Sequence, residues 1–182
     1  MDMITDATQV ARHEAKRQQD QAAMATARGG EYLSFRLGTE EYGIDILLVQ
    51  EIRSYEAPTR IANAPRCVKG VVNLRGVIVP IVDLRDRFGC LEAGEREGQG
   101  GAPVIIVLDF GTRVIGVIVD AVSDVLAVQV DQIKPASQLS SGDATFISGI
   151  ACSRQGDVER LLILLNMPRL MAGGDLAGLL EA

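Results

Sequence analysis

The chain has 182 residues and 47% hydrophobic content, enough to bury one substantial core or two small ones. Its net charge is -6 and it carries no basic block, which argues against nucleic acid or an anionic membrane as the main partner. No run approaches the ~18 apolar residues needed to span a bilayer, and Cys67, Cys90 and Cys152 are too few and too scattered for a disulfide framework or a zinc site.

Residues 1–30 read as a flexible or weakly helical tail outside the domain. Ala11 to Arg28 holds good helix formers but no continuous apolar face, and Gly29-Gly30 ends it. Its start, MDMITDATQ, lacks the basic-then-apolar order of a secretory signal, so the expected compartment is a reducing cytoplasm. From Glu31 the pattern changes. Leu33, Phe35 and Leu37 alternate with polar residues as in a half-buried strand, and Tyr42, Ile44 and Ile46 repeat the pattern after a turn. Leu48, Val49 and Ile52 then fall at helical spacing, predicting a short helix that Asp45 could cap.

A loop over Ala57–Pro65 leads to the most informative segment, CVKGVVNLRGVIVPIVDLRDRFG, from Cys67 to Gly89. Two β-branched runs flank Asn73-Leu74-Arg75-Gly76, which predicts a hairpin with Arg75 at its tip. Pro80 has no N–H, which should push the second strand to an edge or a bulge. The Gly-rich, charged stretch near 92–102 reads as a linker and as the best subdomain boundary. Beyond it, Val104–Leu108, Val114–Val119, Phe146–Ala151 and Leu161–Leu165 read as strands. Asp120–Val130 is extended or bent, 135–142 is a polar loop, and 172–182 is a short C-terminal helix or tail.

Eight to ten short strands, one clear short helix and many Gly turns predict an all-β protein, either one or two small barrels or a sandwich. A search for chemistry finds little. His13, the only histidine, lies in the tail, so a catalytic triad or a histidine metal site has no core member. Gly98-Gln99-Gly100-Gly101 lacks the Lys-Ser/Thr of a phosphate loop. Cys67, between Arg66 and Lys69, could be an activated thiol, but a small half-buried side chain is the simpler reading. Asp83 and Asp86, interleaved with Arg85 and Arg87, are read as a solvated strand end. No metal and no cofactor is expected. A protein-docking surface remains: the Leu47/Glu51 side of the helix, the Gly70 strand and Arg75 could share one groove, since Arg is enriched in interface hot spots. From composition alone, Arg75 could equally be a solvated turn residue and Val49 a core residue.

The chain resembles the CheW family, adaptors that couple bacterial chemoreceptors to the histidine kinase CheA. The resemblance spans residues 31–171 and is carried by EEYGIDILLVQEIR, TRIANAP, VKGVVNLRGVIVPIVDLR, VIGVIVDAVSDVL and LLILLNM. It implies two SH3-like five-stranded β-barrels packed around a shared core, and no catalytic activity. It implies a receptor-binding groove with Ile46, Val49, Glu51, Gly70, Arg75 and Val122, and a kinase-binding role for Val125, Lys134 and Leu139. The implied partners are the CheA regulatory domain, the cytoplasmic tips of chemoreceptors (methyl-accepting chemotaxis proteins) and other CheW-like proteins in rings, at membrane-associated receptor arrays. Two further readings are an adaptor of a non-chemotactic receptor–kinase pathway and a small thiol enzyme using Cys67.

Overall fold

A computed structural model describes residues 29–88, 102–135 and 146–172. The first strand, β1 (Gly30–Leu37), pairs antiparallel with β2 (Glu40–Asp45). Asp45 then caps a single 3-10 turn, Ile46–Leu48, its Oδ1 accepting the Leu47 N–H at 3.0 Å. The predicted helix stops there. Val49–Ser54 forms β3, paired with β6 (Val104–Asp109) and alternating half-buried and exposed, because the ladder to β6 outweighs a locally helical spacing.

The next strands are β4 (Val68–Leu74) and β5 (Val77–Asp83), followed by the short helix α1 (Leu84–Arg87). Only Arg75 and Gly76 separate β4 from β5, and both have positive φ, as a type I′ hairpin turn requires. Asn73 Oδ1 accepts the Gly76 N–H at 2.9 Å and stabilises the turn. Of the two outcomes expected from Pro80, the edge does not hold, since β5 is an interior strand between β4 and β7 (Val114–Val119), but the β4–β5 ladder does break register beside it, between Val68 and Gly70. The proline is tolerated because the parallel pairing with β7 begins only at Ile81.

The chain continues through β8 (Ala121–Val128), β9 (Ile133–Pro135), β10 (Ile147–Gln155), β11 (Val158–Leu165) and α2 (Met167–Ala172). These strands build two sheets, six-stranded in the order β8-β1-β2-β11-β10-β9 and five-stranded in the order β3-β6-β7-β5-β4. One sheet thus carries a sixth strand beyond the expected five, the three-residue β9. The linker near 92–102 lies outside the described residues, but β5 before it and β6 after it belong to the same sheet. The division between sheets therefore falls elsewhere: the chain changes sheet at the Ile46–Leu48 turn and again at Asp120.

Strand faces explain why so many segments are continuously apolar. On β6, Ile105 and Val107 face a core made only by the five-stranded sheet, whereas Ile106 and Leu108 face a second core. That second core is shared. It joins Leu33, Phe35 and Leu37 of β1 to Val82, Val117 and Val119 of the other sheet, with α1 and α2 contributing Leu84 and Met171. Tyr32, Val128, Leu162 and Leu164 fill the interior of the six-stranded sheet. A strand buried on both faces has no solvated side for polar residues to occupy. An aromatic series crosses the shared region, with centroids of Phe35–Tyr42 at 6.0 Å, Tyr42–Phe88 at 5.5 Å and Phe88–Phe146 at 5.2 Å.

Candidate functional site

Ile46, Val49 and Val122 are half-buried against the shared core, so these three predicted residues lie where the two sheets meet. The 3-10 turn leaves Leu47 87% exposed beside them. It borders a cleft of about 570 Å³ lined by Tyr32, Ile46, Leu48, Leu165 and Met167 among others. A large apolar side chain in water beside a mainly apolar cleft marks a surface suited to a protein partner.

Glu51 and Arg75 meet directly. Arg75 Nη2 donates to Glu51 Oε2 at 3.2 Å, tying the hairpin tip to β3. Arg53 Nη1 donates to the other carboxylate oxygen at 3.3 Å, so Glu51 is held from both sides. The Arg75 side chain is nevertheless 79% exposed. It is oriented on its own molecule and still presents most of its N–H donors outward.

Gly70 behaves differently. It is buried, with φ +143, and a Cβ built there would stand 2.0 Å from the Thr59 carbonyl oxygen. Thr59 and Val71 exchange two backbone hydrogen bonds of 2.9 Å, pinning the incoming loop on β4. Gly70 is thus a place where two backbones press together, and it offers no side chain to a partner.

Val125 is exposed on β8 and Lys134 on β9, the two edge strands of the six-stranded sheet. Leu139 lies outside the described residues. Val125 and Lys134 thus lie at opposite edges of that sheet, whereas the Glu51–Arg75 pair belongs to the other sheet.

Sequence reasoning missed two ionic networks. In the first, Arg160 Nη2 donates to Glu41 Oε1 at 2.7 Å and to Asp124 Oδ1 at 3.4 Å, while Ser34 Oγ donates to Asp124 at 2.8 Å. The hydrogen bond from Arg160 holds the Glu41 carboxyl below its ordinary value, and that from Ser34 does the same for Asp124. In the second, Asp83, only 2% exposed, accepts from Arg85 Nε and Nη2 at 3.0 Å each and caps α1 through the Arg85 backbone N–H. The expected solvated strand end is therefore a buried ion pair at Asp83. Its bonds raise the Arg85 guanidinium above its ordinary value. Asp83 and Arg85 are neighbours that the sequence shows side by side without revealing their burial, whereas the links to Asp120, Glu41 and Asp124 span 35 to 119 residues and leave no local spacing signal.

Among the described residues no three His, Cys, Asp or Glu side chains are grouped to hold a metal ion, and no helix is long and apolar enough to cross a membrane. Cys67 and Cys152 are half-buried and outside any disulfide.

Comparison with known proteins fits this architecture. The profile of the CheW-like domain matches residues 31–174. The Chemotaxis protein CheW of Klebsiella aerogenes is 49% identical over 150 residues, covering 82% of this chain and 86% of that protein. The Chemotaxis protein CheW of Rhizobium meliloti is 40% identical over 69% of this chain and 79% of its own. Among solved structures, the scaffolding protein TtCheW of Thermoanaerobacter tengcongensis superposes with a TM-score of 0.63 at 31% identity, covering 75% of this chain and 88% of that one. The two-sheet fold, the matched domain and these relatives together make this chain a member of the CheW family.

Proposed function

We propose that the chain is a non-catalytic chemotaxis adaptor, cytoplasmic and recruited to membrane-associated receptor arrays, that couples chemoreceptor tips to the histidine kinase CheA. The observation that carries this reading is the Glu51–Arg75 pair beside half-buried Ile46 and Val49, at the meeting of two rigid sheets. An oriented but exposed guanidinium next to apolar surface combines an anchor with a polar contact, as interface hot spots do. In this reading Ile46, Val49, Glu51, Arg75 and Val122 contact the receptor hairpin, and Gly70 shapes the scaffold beneath. Val125 and Lys134, on separate edges, serve the regulatory domain of the kinase or CheW-like neighbours in a ring.

The adaptor would transmit a signal by holding receptor and kinase in fixed relative geometry and contacting the two kinase states differently. Equal affinity for both states would shift nothing. Titration calorimetry with the purified CheA regulatory domain, with and without a receptor-tip hairpin fragment, tests this. Saturable binding of the kinase domain and a ternary complex on adding the fragment are expected. Absence of any binding to the cognate kinase domain would overturn the adaptor role.

A further inference from the structure

A pocket on the five-stranded sheet, lined by none of the predicted site residues, has no role in the reading above. It measures about 320 Å³ and is lined by Tyr55, Ala57, Pro58, Arg60, Lys69, Asp83, Arg85 and Ile118. Three of those side chains are cations and one is an anion, in a chain whose net charge is -6. Asp83 is consumed by its bonds to Arg85. Lys69 Nζ donates to Asp86 Oδ2 at 2.8 Å and to the Arg66 carbonyl at 3.2 Å, leaving a third N–H for a ligand. Arg60 is exposed and forms no ion pair among the described residues, since the nearby Glu56 pairs with Arg53. With Arg85 paired to Asp83 and Asp120 and Lys69 paired to Asp86, Arg60 supplies the pocket's uncompensated positive charge among the described residues, and a concave site concentrates its field.

The cation is also pre-placed. Arg60 follows Thr59, whose two backbone bonds to Val71 fix the loop on β4. The absence of a Cβ at Gly70 is what allows that approach. A guanidinium on an anchored backbone loses less entropy on pairing than one on a free loop. The remaining lining is apolar or aromatic: Pro58, Ala57, Ile118 and the half-exposed Tyr55 ring. A bare inorganic anion would leave that surface unused, whereas a carboxylate on an aliphatic stem, presented by a chain, would fill both parts.

We propose that this pocket receives an acidic side chain from an acidic segment of a partner protein, with Arg60 as its main ion-pairing group and Lys69 as the second. The inference stands apart from the identity of the receptor and kinase partners.

The full chain, labelled for NMR of its Arg Nε–Hε and Lys Nζ groups, is titrated with acetylated hexaglutamate, with hexaglutamine and with inorganic phosphate. Hexaglutamate is expected to shift the Arg60 and Lys69 signals saturably, and hexaglutamine is expected to leave them unmoved. Arg60→Gln should weaken hexaglutamate binding about tenfold and Lys69→Gln by a smaller factor. Arg154→Gln, at an exposed position on β10 in the other sheet, should leave binding unchanged. Raising salt from about 50 to about 300 mM should also weaken it severalfold. Three results overturn the proposal: no shift with hexaglutamate, an unchanged affinity in Arg60→Gln, or phosphate binding the same groups as tightly, which would make the pocket a free-anion site.

Discussion

Arg85 reaches from α1 to Asp120, its Nη1 standing 3.4 Å from Asp120 Oδ1, and Asp120 Oδ2 accepts the Gly38 backbone N–H at 2.7 Å. One carboxylate thus joins the end of the five-stranded sheet to the β1–β2 turn of the other sheet. It does so at the residue where the chain passes from β7 to β8. The relative placement of the sheets, and hence the junction holding Ile46, Val49 and Val122, rests partly on this pair. Ion pairs with several hydrogen bonds and restricted water access fix geometry more reliably than exposed ones do.

Asp83→Ala removes the buried half of this arrangement. It strips Arg85 of two side-chain bonds and α1 of its cap, leaving a mostly covered guanidinium with only Asp120. The expected loss is about 3 kcal/mol, the low end for breaking a buried pair because Arg85 keeps one partner. Asp83→Asn should cost less, since its amide oxygen can still cap. Urea unfolding of the two variants checks both the size and the order.

Gly70→Ala should destabilise by about 2–4 kcal/mol, because the new Cβ meets a backbone carbonyl and the φ of +143 is strained for any L side chain. Replacing Thr59 by a smaller residue should not rescue it, because the obstructing atom is the main-chain oxygen. A rescue in thermal unfolding would show that the clash had been relieved by the side chain after all.

Arg75→Glu changes an exposed turn residue and should leave stability within about 0.5 kcal/mol, while opposing Glu51 with a like charge and weakening receptor coupling. The double swap Glu51→Arg with Arg75→Glu separates two roles. If the pair acts only by bracing the hairpin against β3, the swap restores binding of a receptor-tip fragment. If the Arg75 guanidinium itself contacts the partner, the ion pair is restored and binding is not. Unchanged receptor-dependent kinase activation in Arg75→Glu would sink the assignment of Arg75 to the groove.

The Glu41–Arg160–Asp124 network predicts an acid-side dependence. The carboxyls of Glu41 and Asp124 are held below their ordinary values of 4.5 and 3.8 in the folded chain. Their contribution to stability is therefore complete above those values. It is lost as pH falls through the lowered ones, since the unfolded chain takes up protons first. Glu41→Gln should flatten the decline of stability below about pH 5 and leave the neutral-pH behaviour of other groups alone. Unfolding midpoints between pH 3 and 7 measure it; an unaltered slope in the variant would assign the acid sensitivity elsewhere.

What the sequence disclosed was local. Asn73 to Gly76 announced a hairpin because its turn chemistry is contained in four adjacent residues, and Asp45 announced a cap two residues from its donor. The spacing of Leu48, Val49 and Ile52 misled because three positions satisfy helical and extended periods alike, and a partner strand over fifty residues away, Val104–Asp109, decides between them. The boundary near 92–102 misled because composition does not show that the strands before and after it, β5 and β6, join one sheet, whereas the crossings between sheets, at Ile46–Leu48 and Asp120, are short and unremarkable in composition. The Gly70 strand was placed in the groove by reading the residues and Gly70 itself by resemblance, but its burial against Thr59 depends on a backbone approach that no spacing reveals. The cluster of Arg60, Lys69 and Arg85 was invisible for the same reason.

The order in which the chain changes sheets has a kinetic consequence. All five strands of one sheet come from the uninterrupted stretch between Val49 and Val119, while β1 must wait for β8, with Ser34 and Asp124 meeting across 90 positions. Long loops are slow to close. The inserted sheet can thus be complete while the flanking strands are still searching, and its formation shortens that search by drawing Val49 and Val119 together. During synthesis, the β1–β2 hairpin leaves the ribosome ahead of both of its outer neighbours, β8 and β11, and its two free edges stay unpaired until those strands arrive.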